Sequence, residues 1–240
     1  MSTPFNRYRF AIFFTPESTS RVRLNNTLLS LFLVLFLSSC AGIDQVEFDT
    51  EYSLISLEPT DLQTHGIGFL TPTAATGREA DKQSLAHNFA EQLELLRPAI
   101  RVIPLAGILS AVNRYDLNSE YKQMYQDYNE TAVLDGKVLK KLGEATGVRY
   151  LAQLSLAGFR QETRGRFSLL GIRIFDTKQA NLRVFMQIWD SQSGSVAWEG
   201  SQELNFAYDT SREKPVTFHD VAKFSAEQLY SRLPGAPDGG

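Results

Sequence analysis

The sequence predicts an α/β sandwich: one domain with a mixed sheet, antiparallel strands toward its C-terminal end, and helices packed mainly on one face. Three observations lead there. Apolar residues recur at alternating positions in some stretches and at helical spacing in others, in the order β-α-β-α-α-β, then consecutive strands, then a final helix. Strand-helix-strand passages favour parallel neighbours, whereas strands joined by short turns pair antiparallel. The chain has 240 residues, 43% hydrophobic and 11% aromatic, which bounds it to about one domain and supplies a packed core.

Each element has its own warrant. Residues 41–50 are polar and acidic and read as a tether. Residues 52–57 form a first, edge-type strand closed by Pro59. Residues 65–71 are a second strand, stopped at Pro72. Thr76 and Glu79 form a capping box, and Leu85, Phe89, Leu93 and Leu96 make one helical face that ends at Pro98. Residues 100–104 give a short strand, and a helix from Leu105 to Arg114 turns Ile108, Leu109 and Val112 inward. A tyrosine-rich segment follows, with Tyr115, Tyr121, Tyr125 and Tyr128; the last three share one helix face, which suits an amphipathic helix that covers the core with its hydroxyls in water, or a partner surface. Asp135 caps a further helix, with Val138, Leu142 and Ala145 inward and Gly147 as its left-handed stop.

The second half is strand-rich. Residues 148–159 form a long strand and residues 161–166 a charged turn. Residues 167–175 and 182–190 are strands joined by 176–181. Asp190 and Gly194 set a turn into the strand 195–206, and Trp189 and Trp198 flank it, placed to pack across the hairpin. Residues 211–215 are a loop. Thr217, with Asp220 three residues on, caps a last helix whose Phe218, Val221, Ser225 and Leu229 face inward.

The N-terminal segment carries the sharpest signal. Residues 28–37 are apolar except for Ser30, too short a run to span a bilayer as a helix but of the length of a secretory core. Arg21 and Arg23 precede it. Leu37-Ser38-Ser39-Cys40-Ala41-Gly42 then resembles the bacterial lipobox. That resemblance implies cleavage between Ser39 and Cys40, diacylglycerol on the Cys40 thiol and a further acyl chain on the new terminus. Ala41, where retention signals carry Asp, implies outer-membrane delivery with the domain facing the periplasm. The resulting organisation is a signal peptide at 1–39, a lipidated tether at 40–51, a domain at 52–233 and a disordered tail at 234–240. Processing removes four arginines and one glutamate, leaving 201 residues at net −6 where the whole chain has −3. No basic field for nucleic acid remains.

Catalytic signatures are sparse. His65, His87 and His219 have no second ligand at a recognised metal spacing, and the lone Cys closes no disulfide. There is no Gly-x-Ser-x-Gly elbow and no phosphate loop, and Gly66-x-Gly68 is only a fragment of a dinucleotide fingerprint. No cofactor is expected. Arg160, Arg164 and Arg166, with Arg173, form a local basic cluster that suits an anionic headgroup or an acidic partner.

The helix stop at Gly147, followed by Val148-Arg149-Tyr150-Leu151, and the later Trp189-Asp190-Ser191-Gln192-Ser193-Gly194-Ser195-Val196-Ala197-Trp198 are similar to a pattern in envelope lipoproteins. They resemble proteins related to the curli secretion component CsgG, the penicillin-binding-protein activator LpoB and the TolB N-terminal domain. The resemblance covers roughly residues 52–233. It implies a non-enzymatic, lipid-anchored protein that binds another envelope protein or a second copy of itself. A ring-forming secretion component and a lipid-anchored hydrolase are the alternatives. Tyr115, Tyr121, Tyr125, Tyr128, Arg160, Arg164 and Arg166 are the candidate partner surface.

Overall fold

The structure is a computed structural model that describes residues 45–74, 79–169, 172–210 and 217–235. Its elements run β1 (Gln45–Leu54), α1 (Asp61–His65), β2 (Ile67–Phe69), β3 (Thr73–Ala74), α2 (Glu79–Leu96), β4 (Val102–Ile103), α3 (Leu105–Arg114), α4 (Asn118–Thr131), α5 (Gly136–Thr146), β5 (Tyr150–Leu169), β6 (Ile172–Asp190), β7 (Ser195–Thr210) and α6 (Phe218–Tyr230). The seven strands form one sheet in the order β1-β7-β6-β5-β2-β4, with β3 beside β5. β2 runs parallel to β4 and β5, and β3 runs parallel to β5. The β1–β7, β7–β6 and β6–β5 pairs are antiparallel. This is the expected α/β sandwich with a mixed sheet.

Strand parity divides the core in two. Tyr150, Ala152, Leu154 and Leu156 of β5 join Leu182, Val184, Met186 and Ile188 of β6 under α2 and α6. Leu85, Phe89 and Leu93 of α2 and Val221, Ala222, Ala226 and Leu229 of α6 complete that layer. Leu151 of β5 turns the other way, into a second cluster with Ile108 and Val112 of α3, Met124 of α4 and Val138, Leu139 and Leu142 of α5. The helices therefore occupy both faces and not mainly one as expected, with α3, α4 and α5 against the side opposite α2 and α6. Parallel β2 and β5 need this cover, because strands between crossover helices are apolar on both sides.

Several local expectations are corrected. β1 starts at Gln45, so residues 45–51, read as tether, are strand. Val46, Phe48, Thr50, Tyr52 and Leu54 alternate with Glu47, Asp49, Glu51 and Ser53, a period of two that the acidic composition obscured. Residues 161–166 form no turn: β5 runs through them, paired with β6 from Gln161↔Ala180 to Gly165↔Asp176. Residues 176–181 likewise lie inside β6. Ladder hydrogen bonds need only backbone, so polar side chains do not end a strand whose neighbours pair on both sides.

Trp189 and Trp198 do not pack across the hairpin. Trp198 stands opposite Ile188, and an irregularity between Ile188 and Trp189 puts Trp189 opposite Val196. Each indole is buried in a different cluster. Leu109 and Leu96 are 39% and 47% exposed, whereas Ala111 and Leu139 are buried in positions the face count missed. At the end of α2, Arg97 is buried and donates from Nη2 to Pro234 O at 3.0 Å, which ties down the start of the segment read as a tail. Thr76, residues 211–215 and 236–240, and the signal segment with Ser39 and Cys40 lie outside the described residues.

The caps read from sequence are in place. Asp135 accepts from the backbone N–H of Lys137 and Val138, and Gly147 takes φ +70° after α5. Thr217 and Asp220 form a reciprocal capping box at the start of α6.

Candidate interaction surface

The tyrosines of α4 lie against the sheet, and tertiary contacts account for their hydroxyls. Tyr121 is buried, and its hydroxyl accepts from Thr71 N at 3.1 Å and lies 2.9 Å from Thr71 Oγ1. Tyr125 Oη is 2.7 Å from Thr71 O and 2.9 Å from Gln153 Oε1. Gln153, buried on β5, donates from Nε2 to Thr71 O and Leu154 O. Tyr128 Oη reaches Gln187 Oε1 of β6 at 3.5 Å. The rings of Tyr121 and Tyr125, and of Tyr125 and Tyr128, meet edge to face at 5.0 and 6.5 Å. Burial pushes the Tyr125 hydroxyl well above its ordinary range, and burial raises Tyr128 as well. These phenols stay protonated and act as donors.

The segment is thus a cover bolted to the sheet. Of the two readings of this face, core cover holds for Tyr121, whose burial withdraws it from the candidate partner surface. Tyr115, beyond the end of α3, is 54% exposed. Arg160 and Arg164 occupy β5 positions opposite Asn181 and Thr177, and Arg166 falls at the irregularity between Gly165 and Phe167.

Beyond Tyr128 no helix covers this face of β6, β7 and β1 among the described residues. The uncovered area carries a hollow of about 600 Å³ lined by Tyr128, Gln153, Ser155, Phe185, Gln187 and Glu199, among others. Register defines who shares the face: Glu51 is opposite Ser201, Ser53 opposite Glu199, and Asp49 opposite Glu203 on β1 and β7. Phe185 and Gln187 of β6 stand opposite Ser201 and Glu199. Phe185 is 43% exposed, with Arg183 at 5.9 Å from its ring centroid. Arg183 also meets Glu203 at 3.4 Å. Glu47, Asp49 and Glu51 of β1 and Glu199 and Glu203 of β7 therefore share this face. Sequence reasoning missed it because the acids come from strands 150 residues apart in sequence, although the alternation in β1 is visible once Gln45–Leu54 is read as strand.

A second hollow, about 660 Å³, opens at the other end of the sheet beside His65, Arg101, Lys140, Arg149 and Ser191. It lies at the carbonyl ends of α1 and α5, where cations complement the exposed helix carbonyls. Arg101 donates to Gly147 O in this way. Arg149 grips Asp190, and its guanidinium carbon sits 5.4 Å from the Tyr150 ring centroid. Tyr150 donates its hydroxyl to Asp61 Oδ2 at 2.7 Å, and burial raises the Tyr150 phenol. Arg149 and Asp190 thus satisfy one another at this end of the sheet. His219 pairs with Asn88 Oδ1 at 2.6 Å. Among the described residues no group of three or more His, Cys, Asp or Glu is placed to hold a metal ion, and no helix is long and apolar enough to cross a membrane.

No protein-family model and no curated protein matches the sequence. Among solved structures the chain is similar to the PelC dodecamer from Paraburkholderia phytofirmans, at TM-score 0.47 and 12% identity over 80% of this chain and 100% of that chain. It is also similar to the lipoprotein GNA1162 from Neisseria meningitidis, at TM-score 0.41 and 14% identity over 70% of this chain and 99% of that chain. The LpoB C-terminal domain from Salmonella enterica aligns at TM-score 0.28 and 12% identity, over 61% of this chain and 94% of that chain.

Proposed function

We propose that this chain is a non-enzymatic lipoprotein, held by acylated Cys40 in the outer membrane, whose periplasmic α/β domain binds another envelope protein. The observation that carries the reading is the order of the N-terminal residues: two arginines, an apolar run of secretory length, then Leu37-Ser38-Ser39-Cys40. Acyl chains contribute about 0.8 kcal/mol per buried CH₂, so two or more make a lasting anchor. An anchor of this kind raises the local concentration of the domain near membrane-bound partners. The uncovered, hydrogen-bonding sheet face around Phe185 supports a binding role for the domain.

The test has two arms. Cys40→Ser is expected to accumulate uncleaved precursor and to release the domain from the outer-membrane fraction, read by intact mass and fractionation. A processed, membrane-retained Cys40→Ser protein overturns the anchor. A photo-crosslinking residue at Phe185 is expected to capture a discrete protein in native envelopes, while the same residue at the exposed Leu109 captures none. Equal patterns from both positions overturn the assignment of the binding face.

A further inference from the structure

Among the described residues β1 is an edge of the sheet, and an unusually open one. Ten residues pair with β7 in unbroken register from Gln45↔Ala207 to Leu54↔Trp198. A strand bonded on one side turns half of its N–H and C=O groups outward, and such edges are ordinarily blunted by Pro, Lys, a bulge or shortness. The opposite edge follows that rule: β4 has two residues and Pro104 comes directly after it. β1 has neither Pro nor Lys, and no irregularity.

The side chains along the edge alternate in chemistry. On the α6 side, Phe48, Tyr52 and Leu54 are 45%, 51% and 55% exposed. On the opposite side lie exposed Glu47, Asp49 and Glu51, with Glu199 and Glu203 next to them on β7. A strand laid against β1 would set every second residue beside apolar groups and every other beside carboxylates. Opposite charges at facing positions of adjacent strands attract, and like charges repel.

We infer that β1 accepts an extended segment of the partner protein as an added strand, and that this segment alternates Lys or Arg with apolar residues. Main-chain hydrogen bonds would supply the pairing and the alternating side chains the selectivity. The inference rests on the partner-binding reading above and names the chemistry of that partner.

The test uses the full chain in detergent micelles and an acetylated, amidated (Lys-Val)4 peptide labelled for anisotropy. The peptide is expected to bind and to slow amide hydrogen exchange in residues 46–54. Glu47→Lys, Asp49→Lys and Glu51→Lys together are expected to weaken binding about tenfold, since facing positions then carry like charges. Methylating alternate backbone nitrogens of the peptide is expected to weaken binding to the unaltered chain by more than about tenfold, since each methyl removes a ladder hydrogen-bond donor. This second arm needs no variant to fold. Equal binding of the methylated peptide, binding of a (Glu-Val)4 peptide equally well, absence of binding, or protection away from β1 each overturns the inference. So does β1 protection without peptide in a chain whose mass shows self-association, which would give the edge to a second copy. If the peptide fails while Phe185 still crosslinks a protein in envelopes, the strand inference falls and the partner reading stands.

Discussion

Arg149 holds Asp190 by two parallel hydrogen bonds, Nε to Oδ1 at 3.0 Å and Nη2 to Oδ2 at 2.8 Å, and so joins the start of β5 to the end of β6. The same carboxylate accepts from Gln192 N at 2.9 Å, which sets the turn into β7. Gly194 closes that turn at φ +71°, with its N–H on Asp190 O. One acid thus orders both a strand pair and a hairpin.

That arrangement makes stability depend on pH in a definite direction. The Arg149 hydrogen bond, with help from Gln192 N–H and against the cost of burial, holds the Asp190 carboxyl below the ordinary carboxylate range. A depressed native pKa stabilises the fold above the unfolded value of about 3.9, and the contribution fades as pH falls through the lower, native value. Arg149→Ala is expected to cost about 2 kcal/mol at neutral pH, as for other charged hydrogen bonds. Urea midpoints measured from pH 7 downward should show the gap between the unaltered chain and Asp190→Asn closing below about pH 3.9. A gap that is constant with pH counts against the ion pair as the cause.

The tyrosine cover gives a contrast between two positions. Tyr125→Phe removes a buried hydroxyl set between Thr71 O and Gln153 Oε1 and is expected to cost about 1–2 kcal/mol, because the single O–H that serves these two oxygens is lost while Thr71 O keeps only Gln153 Nε2. Tyr115→Ala, at an exposed position, is expected to stay within about 0.5 kcal/mol. Chemical denaturation of both variants checks this. Equal, small effects would mean that α4 does not depend on its contacts with the sheet.

Gly143 marks where α5 comes closest to the β6–β7 turn. A Cβ there would stand 2.9 Å from Ser191 Cβ and 3.0 Å from Val148 O. Helix propensity alone favours Gly143→Ala by about 1 kcal/mol. Overpacking is expected to reverse the sign and give a net loss of about 1–3 kcal/mol. Adding Ser191→Gly should restore part of it, so thermal melts of the single and double variants isolate the contact.

At the other end of the chain, the capping box of α6 predicts a loss of about 1 kcal/mol for Thr217→Ala. Thr217 also holds the Asp220 carboxyl below its ordinary range, through its side chain first and its backbone N–H second. The variant should therefore titrate Asp220 at higher pH, a shift that carbon-detected NMR of the carboxyl reads directly.

The elements legible from sequence are those whose signals are local. The Asp135 and Thr217 caps, the Gly147 stop and the Asp190–Gly194 turn each depend on residues within about five positions, and all stand where expected. Strand extents were not local. Residues 161–166 and 176–181 carry turn-like composition, yet each is paired along its length in the β5–β6 ladder. β1 was cut short for the same reason: its acids look like tether until β7 lies beside them.

By itself the sequence determined the fold class, the caps and turns, and it is the whole basis for proposing Cys40 as an anchor, because periodicity, capping chemistry and the order of residues 21–42 are properties of neighbouring residues. Only the tertiary structure decided which surface is free. Whether Tyr121 is a contact or a cover depends on Thr71, fifty positions earlier, and whether Glu51 and Glu199 share a face depends on strand register. Long-range pairing brings those groups together, and no local pattern encodes which distant backbone will supply the partner.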